Sequence, residues 1–235
     1  MAQTDVILTV SDGTLMHCHT GRPTGAGPFP GLIVFQEAFG VNHHIRDVVD
    51  RFAREGYLAI APELFHRSAP PGFEGAYANF IGVAPHLQAL SPQGMEADIR
   101  ASWEWLQRQP GLRPAAMACI GYCLGGRAAF LANSLLPFKA AVSYYGGRIA
   151  PELVTRAPSL SGPMLFFWGG LDKHIPAEQI AAVTSGLRQA GKPFVNVEVS
   201  DADHGFFCDE RGSFNAPAAR ESWALTLAFL REKLA

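Results

Sequence analysis

Six short, mostly apolar runs recur along the chain at Gly31–Gln36, Tyr57–Ala61, Ala115–Ile120, Ala140–Tyr144, Met164–Trp168 and Phe194–Val199. A strand that is apolar at nearly every position is buried on both faces, which is the situation of a parallel sheet covered by helices. The segments between these runs carry helical spacing. Asn42 caps a helix through about Glu55, with Ile45, Val48, Val49 and Phe52 three and four residues apart and Gly56 as the stop. Gly94–Gln107, Leu124–Leu135, Ala177–Ala190 and Ala216–Leu234 complete the set. This strand–helix alternation predicts an α/β fold with a mostly parallel, doubly wound sheet.

The chain enters that sheet differently. Val6–Val10 and Leu15–His19 alternate apolar and polar residues around Ser11-Asp12-Gly13, which predicts an antiparallel hairpin. A Gly/Pro-rich loop is expected at Gly21–Pro30, and Phe65–Pro92, with Pro70-Pro71-Gly72, reads as an excursion over the sheet. With 235 residues, 48% of them hydrophobic, a sizeable core is available, and a single domain over residues 1–235 is expected. A net charge of −2 and the absence of any long basic run exclude an electrostatic footprint for nucleic acid or an anionic membrane. No run of about 18 apolar residues and no leader-like segment occurs, so a cytoplasmic location and small-molecule partners are expected. Four cysteines are too few for a disulfide scaffold in a chain of this length.

One of those cysteines stands in a chemically distinctive place. Gly121-Tyr122-Cys123-Leu124-Gly125 is a G-x-C-x-G turn between a strand and a helix, the setting of a nucleophile elbow with sulfur in place of oxygen. Small flanking residues permit a sharp turn that presents the side chain, and the helix starting at Leu124 directs its positive end toward the thiol. A buried structural cysteine beside a tight turn is the alternative. Asp172 follows the strand ending at Trp168, and His204 follows the strand ending at Val199. The chain order of nucleophile, acid and histidine, each placed after a strand, is the order α/β-hydrolases use. In that chemistry Cys123 attacks a carbonyl carbon, His204 moves its proton and Asp172 orients the imidazole. Backbone N–H donors for the oxyanion are expected from Leu124 and from the loop after Gln36, at Ala38.

Gln36-Glu37-Ala38-Phe39-Gly40-Val41-Asn42, Gly121-Tyr122-Cys123-Leu124-Gly125-Gly126, Tyr144-Tyr145-Gly146, Asp172 and His204 together resemble the dienelactone hydrolase (carboxymethylenebutenolidase) family over nearly the whole chain. The resemblance implies an α/β-hydrolase fold, a cofactor-free cytosolic hydrolase of enol-lactones, monomeric or weakly self-associating, and a triad of Cys123, Asp172 and His204. It assigns Glu37 the task of restraining the resting thiol, and it places Tyr145 beside the pocket, with core or wall packing as the alternative; Phe206, just after His204, is a further pocket candidate read from this chain's own sequence. The physical basis for Glu37 is independent: a carboxylate near a thiol disfavours the thiolate.

The chain departs from the family in one respect. Dienelactone-specific members hold the substrate carboxylate with arginines after the catalytic histidine and in the excursion, whereas Gly205-Phe206-Phe207 follows His204 here and Phe73–Gln93 contains no Arg or Lys. Arg127, Arg148, Lys173 and Arg211 remain as candidate cations, so a carboxylesterase of uncharged esters is a rival reading. A non-catalytic thiol sensor or binding module on the same fold is another. Cys119 reads as strand filler, Cys18 has no partner motif, and Cys119, Cys123, His204 and Cys208 lack the paired spacing of a zinc site. No metal or cofactor is expected. His43 and His44, at a helix start, read as exposed capping-turn residues, with contact to the cleft as the alternative.

Overall fold

The structure, a computed structural model, describes residues 2–235. They divide into two compact units at Met117/Ala118. In the first, β1 (Ala2–Thr9) and β2 (Leu15–Arg22) pair antiparallel around the expected turn, with Val6 opposite Cys18. β2 pairs antiparallel with β4 (Leu58–Pro62), and β4 pairs parallel with β3 (Phe29–Phe35). Helix α1 (His43–Arg54) starts where expected, since Asn42 Oδ1 accepts the Ile45 N–H at 3.3 Å. Its inner face, from His44 to Ala53, is buried against the strands, so His44 belongs to the core side while His43 is exposed.

The predicted loop at Gly21–Pro30 begins too early, because β2 continues to Arg22. The reason is packing: a Cβ on Gly21 would lie 3.0 Å from Ala53 Cβ and 3.1 Å from Val49 Cγ1, so the bare glycine lets α1 sit on the strand. The excursion also contains a helix that the sequence pattern did not reveal, α2 (Phe80–Ala89), capped by Asn79 and carrying Pro85. Only Val83 of it is buried, joined to Ala38 and Phe39 with Phe73, Tyr77 and Leu87 packed around. Helix α3 (Pro92–Gln107) follows, with Ser91 as its cap. Beneath it Asp98, fully buried, accepts two hydrogen bonds of 2.8 Å from Arg67 and lies 3.1 Å from His66 Nε2.

β5 (Leu112–Tyr122) is longer than its apolar run at both ends. From Ala118 onward the second unit is a parallel array in the order β5, β6 (Ala140–Tyr144), β7 (Met164–Gly169), β8 (Phe194–Val199). Helix α4 (Leu124–Leu135) packs on β6, and α6 (Ala216–Lys233) packs on β6 and β7, with Tyr144 and Thr226 hydroxyls 2.8 Å apart. A 3₁₀ turn at Val154–Ser159 and α5 (Ala177–Gln189) connect the remaining strands. Parallel pairing brings the carboxyl ends of β5, β7 and β8 to one edge, and the three predicted chemical residues follow those ends.

Candidate active site

The turn after β5 is built by exclusion of side chains. A Cβ on Gly121 would overlap the Gly125 carbonyl, and one on Gly126 would lie 2.8 Å from Tyr144 O and Gly146 Cα. With those positions bare, the chain turns within one residue: Cys123 takes φ 54° and ψ −113°, a conformation that costs a non-glycine residue on the order of 1–3 kcal/mol. Hydrogen bonds hold it there, from Cys123 N–H to Tyr144 O at 3.0 Å and from Gly126 N–H to Cys123 O at 3.0 Å. The side chain is left half-buried at the head of α4, whose first N–H, that of Leu124, has no carbonyl within the helix to bond.

Asp172 and His204 come together across the loops after β7 and β8. His204 Nδ1 and Asp172 Oδ2 lie 2.7 Å apart, and Asp172 Oδ1 accepts the His174 N–H at 2.8 Å. The Cys123 thiol hydrogen-bonds the same imidazole, so His204 stands between carboxylate and sulfur. Burial alone lowers the pKa of His204, but the bonds to Asp172 and then Cys123, with their charges, outweigh it and push the value up to about 10. Burial raises the carboxyl of Asp172, yet the hydrogen bond and charge of His204 and the His174 N–H hold it below the usual carboxylate range. The pair therefore favours the Asp172 carboxylate and the His204 imidazolium together.

The other thiols lie elsewhere. Cys119 is fully buried against the Ala129 carbonyl, and burial pushes both its thiol and that of Cys18 up. Cys208 is buried, and among the described residues no group of three or more His, Cys, Asp or Glu side chains is arranged to hold a metal. Tyr145 stacks its buried ring at a tilt on His204, centroids 5.1 Å apart. Phe206 is likewise fully buried, its ring edge to face with that of Tyr145 at 5.4 Å between centroids. Gly205, at φ +80°, is the bend that turns Phe206 inward.

In the first unit, Glu37 is fully buried and Ala38 nearly so, in a loop fixed by Gln36, whose Oε1 accepts the Leu64 N–H at 2.9 Å and whose Nε2 donates to Glu37 O at 3.2 Å. Of the candidate cations, Arg127 and Arg148 share Glu152, each at 2.7 Å. Lys173 is exposed, and the Arg211 guanidinium lies against Gly205. The residue the sequence reading passed over is His174, whose ring meets that of His204 edge to face at 5.4 Å. Its signal was present, a second histidine two residues beyond the acid, but nothing in the spacing says that it reaches the other loop.

A family model described as the dienelactone hydrolase family matches residues 16–234. The chain belongs to the dienelactone hydrolase family. Within that family, a protein of Synechocystis sp. named "Putative carboxymethylenebutenolidase" is 36% identical over 214 residues, covering 87% of each chain. One of the same name from Escherichia coli O157:H7 is 35% identical, covering 94% of this chain and 84% of its own. A crystal structure from Klebsiella pneumoniae, described as "Putative Dienelactone Hydrolase", superposes with a TM-score of 0.87 at 32% identity, covering 98% of this chain and 99% of its own. The fold is that of an α/β-hydrolase, mostly parallel with an antiparallel β1–β2 hairpin, and the chain is a dienelactone hydrolase-like hydrolase. Among the described residues no helix is long and apolar enough to cross a membrane.

Proposed function

We propose that this family member hydrolyses small lactones or carboxylic esters through a thioacyl-enzyme on Cys123. The observation that carries the reading is His204 held at 2.7 Å by Asp172 while it accepts the thiol of a cysteine at a strained elbow. On substrate binding the Cys123 proton passes to His204, which becomes imidazolium as the sulfur ionises. The thiolate adds to the acyl carbon, and the tetrahedral oxyanion is met by the Leu124 N–H at the head of α4. The carbon–oxygen bond then breaks, and the leaving oxygen takes the proton from His204. Water attacks the thioester with neutral His204 as its base, which releases the acid and restores the thiolate–imidazolium pair. Asp172 keeps the proton of Nδ1 in place throughout, so that the other nitrogen does the transfer.

Two further roles enter from the family resemblance. Ala38 is the second oxyanion donor, and Glu37 holds the resting thiol protonated until substrate binds. Their support is the burial of both residues and the fixed geometry of the loop that carries them. The substrate is a small molecule, the protein acts in the cytoplasm, and it works as a monomer or weak homo-oligomer. A preference for uncharged esters is a second reading, favoured by the engagement of Arg127 and Arg148 with Glu152, which ties both side chains to a carboxylate of this chain.

The test is Cys123→Ala with an activated aryl ester as substrate and circular dichroism as the fold control. Turnover is expected to fall by about four orders of magnitude or more with an unchanged spectrum. Unchanged turnover removes the nucleophile, and peroxide-dependent modification of Cys123 without turnover in the parent protein favours the sensor reading instead.

A further inference from the structure

Glu37 and Gly40 pair antiparallel across a tight turn, with Ala38 and Phe39 at its tip. The excursion after β4 grips that turn and the residues behind it. Gly75 N–H donates to Phe39 O at 2.9 Å. Tyr77, half-buried, sets its ring edge to face on that of Phe39 with centroids 4.7 Å apart, and its hydroxyl accepts from Asn42 Nδ2 at 2.8 Å. Glu74 binds the Arg46 guanidinium at 2.7 Å, and the same guanidinium donates to Val41 O at 2.7 Å. Val83, the buried residue of α2, packs with Ala38 and Phe39. Two glycines permit the close approach: a Cβ on Gly40, which has φ +83°, would overlap the Phe73 carbonyl oxygen, and one on Gly75 would overlap Val83 Cγ1.

We propose that Tyr77 and Val83 are positioning residues, which hold the Glu37–Gly40 turn so that the Ala38 N–H is aimed at the oxyanion. The inference rests on the hydrolase reading and adds to it two residues that act through Ala38. The Ala38 N–H belongs to the same trans peptide as the Glu37 carbonyl and points the opposite way. Gln36 Nε2 holds that carbonyl at 3.2 Å, and a single bond leaves the peptide free to tilt about it. Contacts on the next two residues remove the tilt: Val83 against Ala38 and Phe39, Tyr77 against the Phe39 ring, and Gly75 on the Phe39 carbonyl. A backbone donor stabilises an oxyanion only when it is in place before the charge develops. A displacement of about 1 Å at such a group costs roughly a hundredfold in rate.

The experiment compares reactions of Cys123 that differ in the charge they develop. Hydrolysis of an activated aryl ester and addition to an aryl trifluoromethyl ketone both form a carbon–sulfur bond while the carbonyl electron pair moves onto oxygen. Iodoacetamide instead loses iodide to the attacking sulfur, and no oxyanion forms. Its rate is read on the high-pH plateau, where the sulfur is fully ionised and a restraint from Glu37 no longer acts. In Tyr77→Leu, kcat for the ester is expected to fall about tenfold to a hundredfold with KM little changed. Affinity for the ketone should fall by the same factor, while plateau alkylation keeps the parental rate. Val83→Ala should show the same pattern to a smaller extent, and it carries the test if Tyr77→Leu does not fold. Tyr77→Phe keeps the ring on Phe39 and should recover most of the lost kcat. Unchanged kcat in both Tyr77→Leu and Val83→Ala overturns the proposal. So does plateau alkylation that falls in step with kcat, because the substitutions would then have disturbed the thiol rather than the donor. A parent protein that neither turns over the ester nor binds the ketone defeats the hydrolase reading itself.

Discussion

Replacing Asp172 by Asn tests the site most sharply, because it keeps the shape and reverses the hydrogen-bond chemistry. Asp172 Oδ1 accepts the His174 N–H at 2.8 Å, so the amide oxygen of Asn stays on that side and its NH₂ group faces His204. Nδ1 of His204 must then accept, its proton moves to the nitrogen facing Cys123, and the imidazole no longer takes a proton from the thiol. Such a tautomer reversal costs about 10³–10⁴ in kcat/KM, or roughly 4–5 kcal/mol of transition-state stabilisation. Stability changes as well. The pKa of His204 is raised to about 10 from an ordinary value of 6.5, so its ion pair stabilises the fold fully below pH 6.5 and ceases to do so as pH rises through about 10. The hydrogen bond to Asp172 is the largest single favourable cause of that shift, so the variant is expected to lose on the order of 2 kcal/mol at neutral pH. The depressed pKa of Asp172 acts in the opposite window, with stability present above its unfolded value and lost in acid. The assay pairs aryl ester kinetics with urea unfolding at about pH 7 and about pH 10.5, where the stability gap between the two proteins should close. A loss of activity below tenfold, or a gap that ignores pH, would refute the reasoning.

Three other outcomes are expected. Gly121→Ala removes the elbow, because the new Cβ overlaps the Gly125 carbonyl; turnover and iodoacetamide labelling of Cys123 should both collapse, and a fully active variant would show that the turn tolerates a side chain. Glu37→Gln tests the restraint on the thiol that the family resemblance implies: Cys123 alkylation at a given pH should quicken, and superimposable pH profiles would remove Glu37 from the mechanism. Asp98→Ala leaves His66 and Arg67 without the buried carboxylate they share, and urea unfolding should report a loss of about 3–5 kcal/mol, against which a change under 1 kcal/mol would count.

The fold class and the positions of Cys123, Asp172 and His204 after their strands were legible in the sequence because both are consequences of local chemistry. A strand apolar at every position needs cover on two faces, and glycines at 121 and 126 leave room for a turn that no side chain permits. The cysteine, acid and histidine were readable one at a time because each directly follows a strand. What the sequence did not disclose depends on contacts between segments far apart in the chain. Gly21 reads as loop until Val49 and Ala53 of α1 pack on it, and α2 is obscured by Pro85 and by having only Val83 buried. Likewise Arg127 and Arg148 read as available cations until Glu152 takes both. His174 reads as an unremarkable loop residue until parallel pairing of β7 with β8 sets its loop beside that of His204. Periodicity and small residues act within one segment, where sequence order and spatial order coincide. Ring contacts, charge neutralisation and the microenvironment of a proton act between segments, and only tertiary packing decides which of them meet.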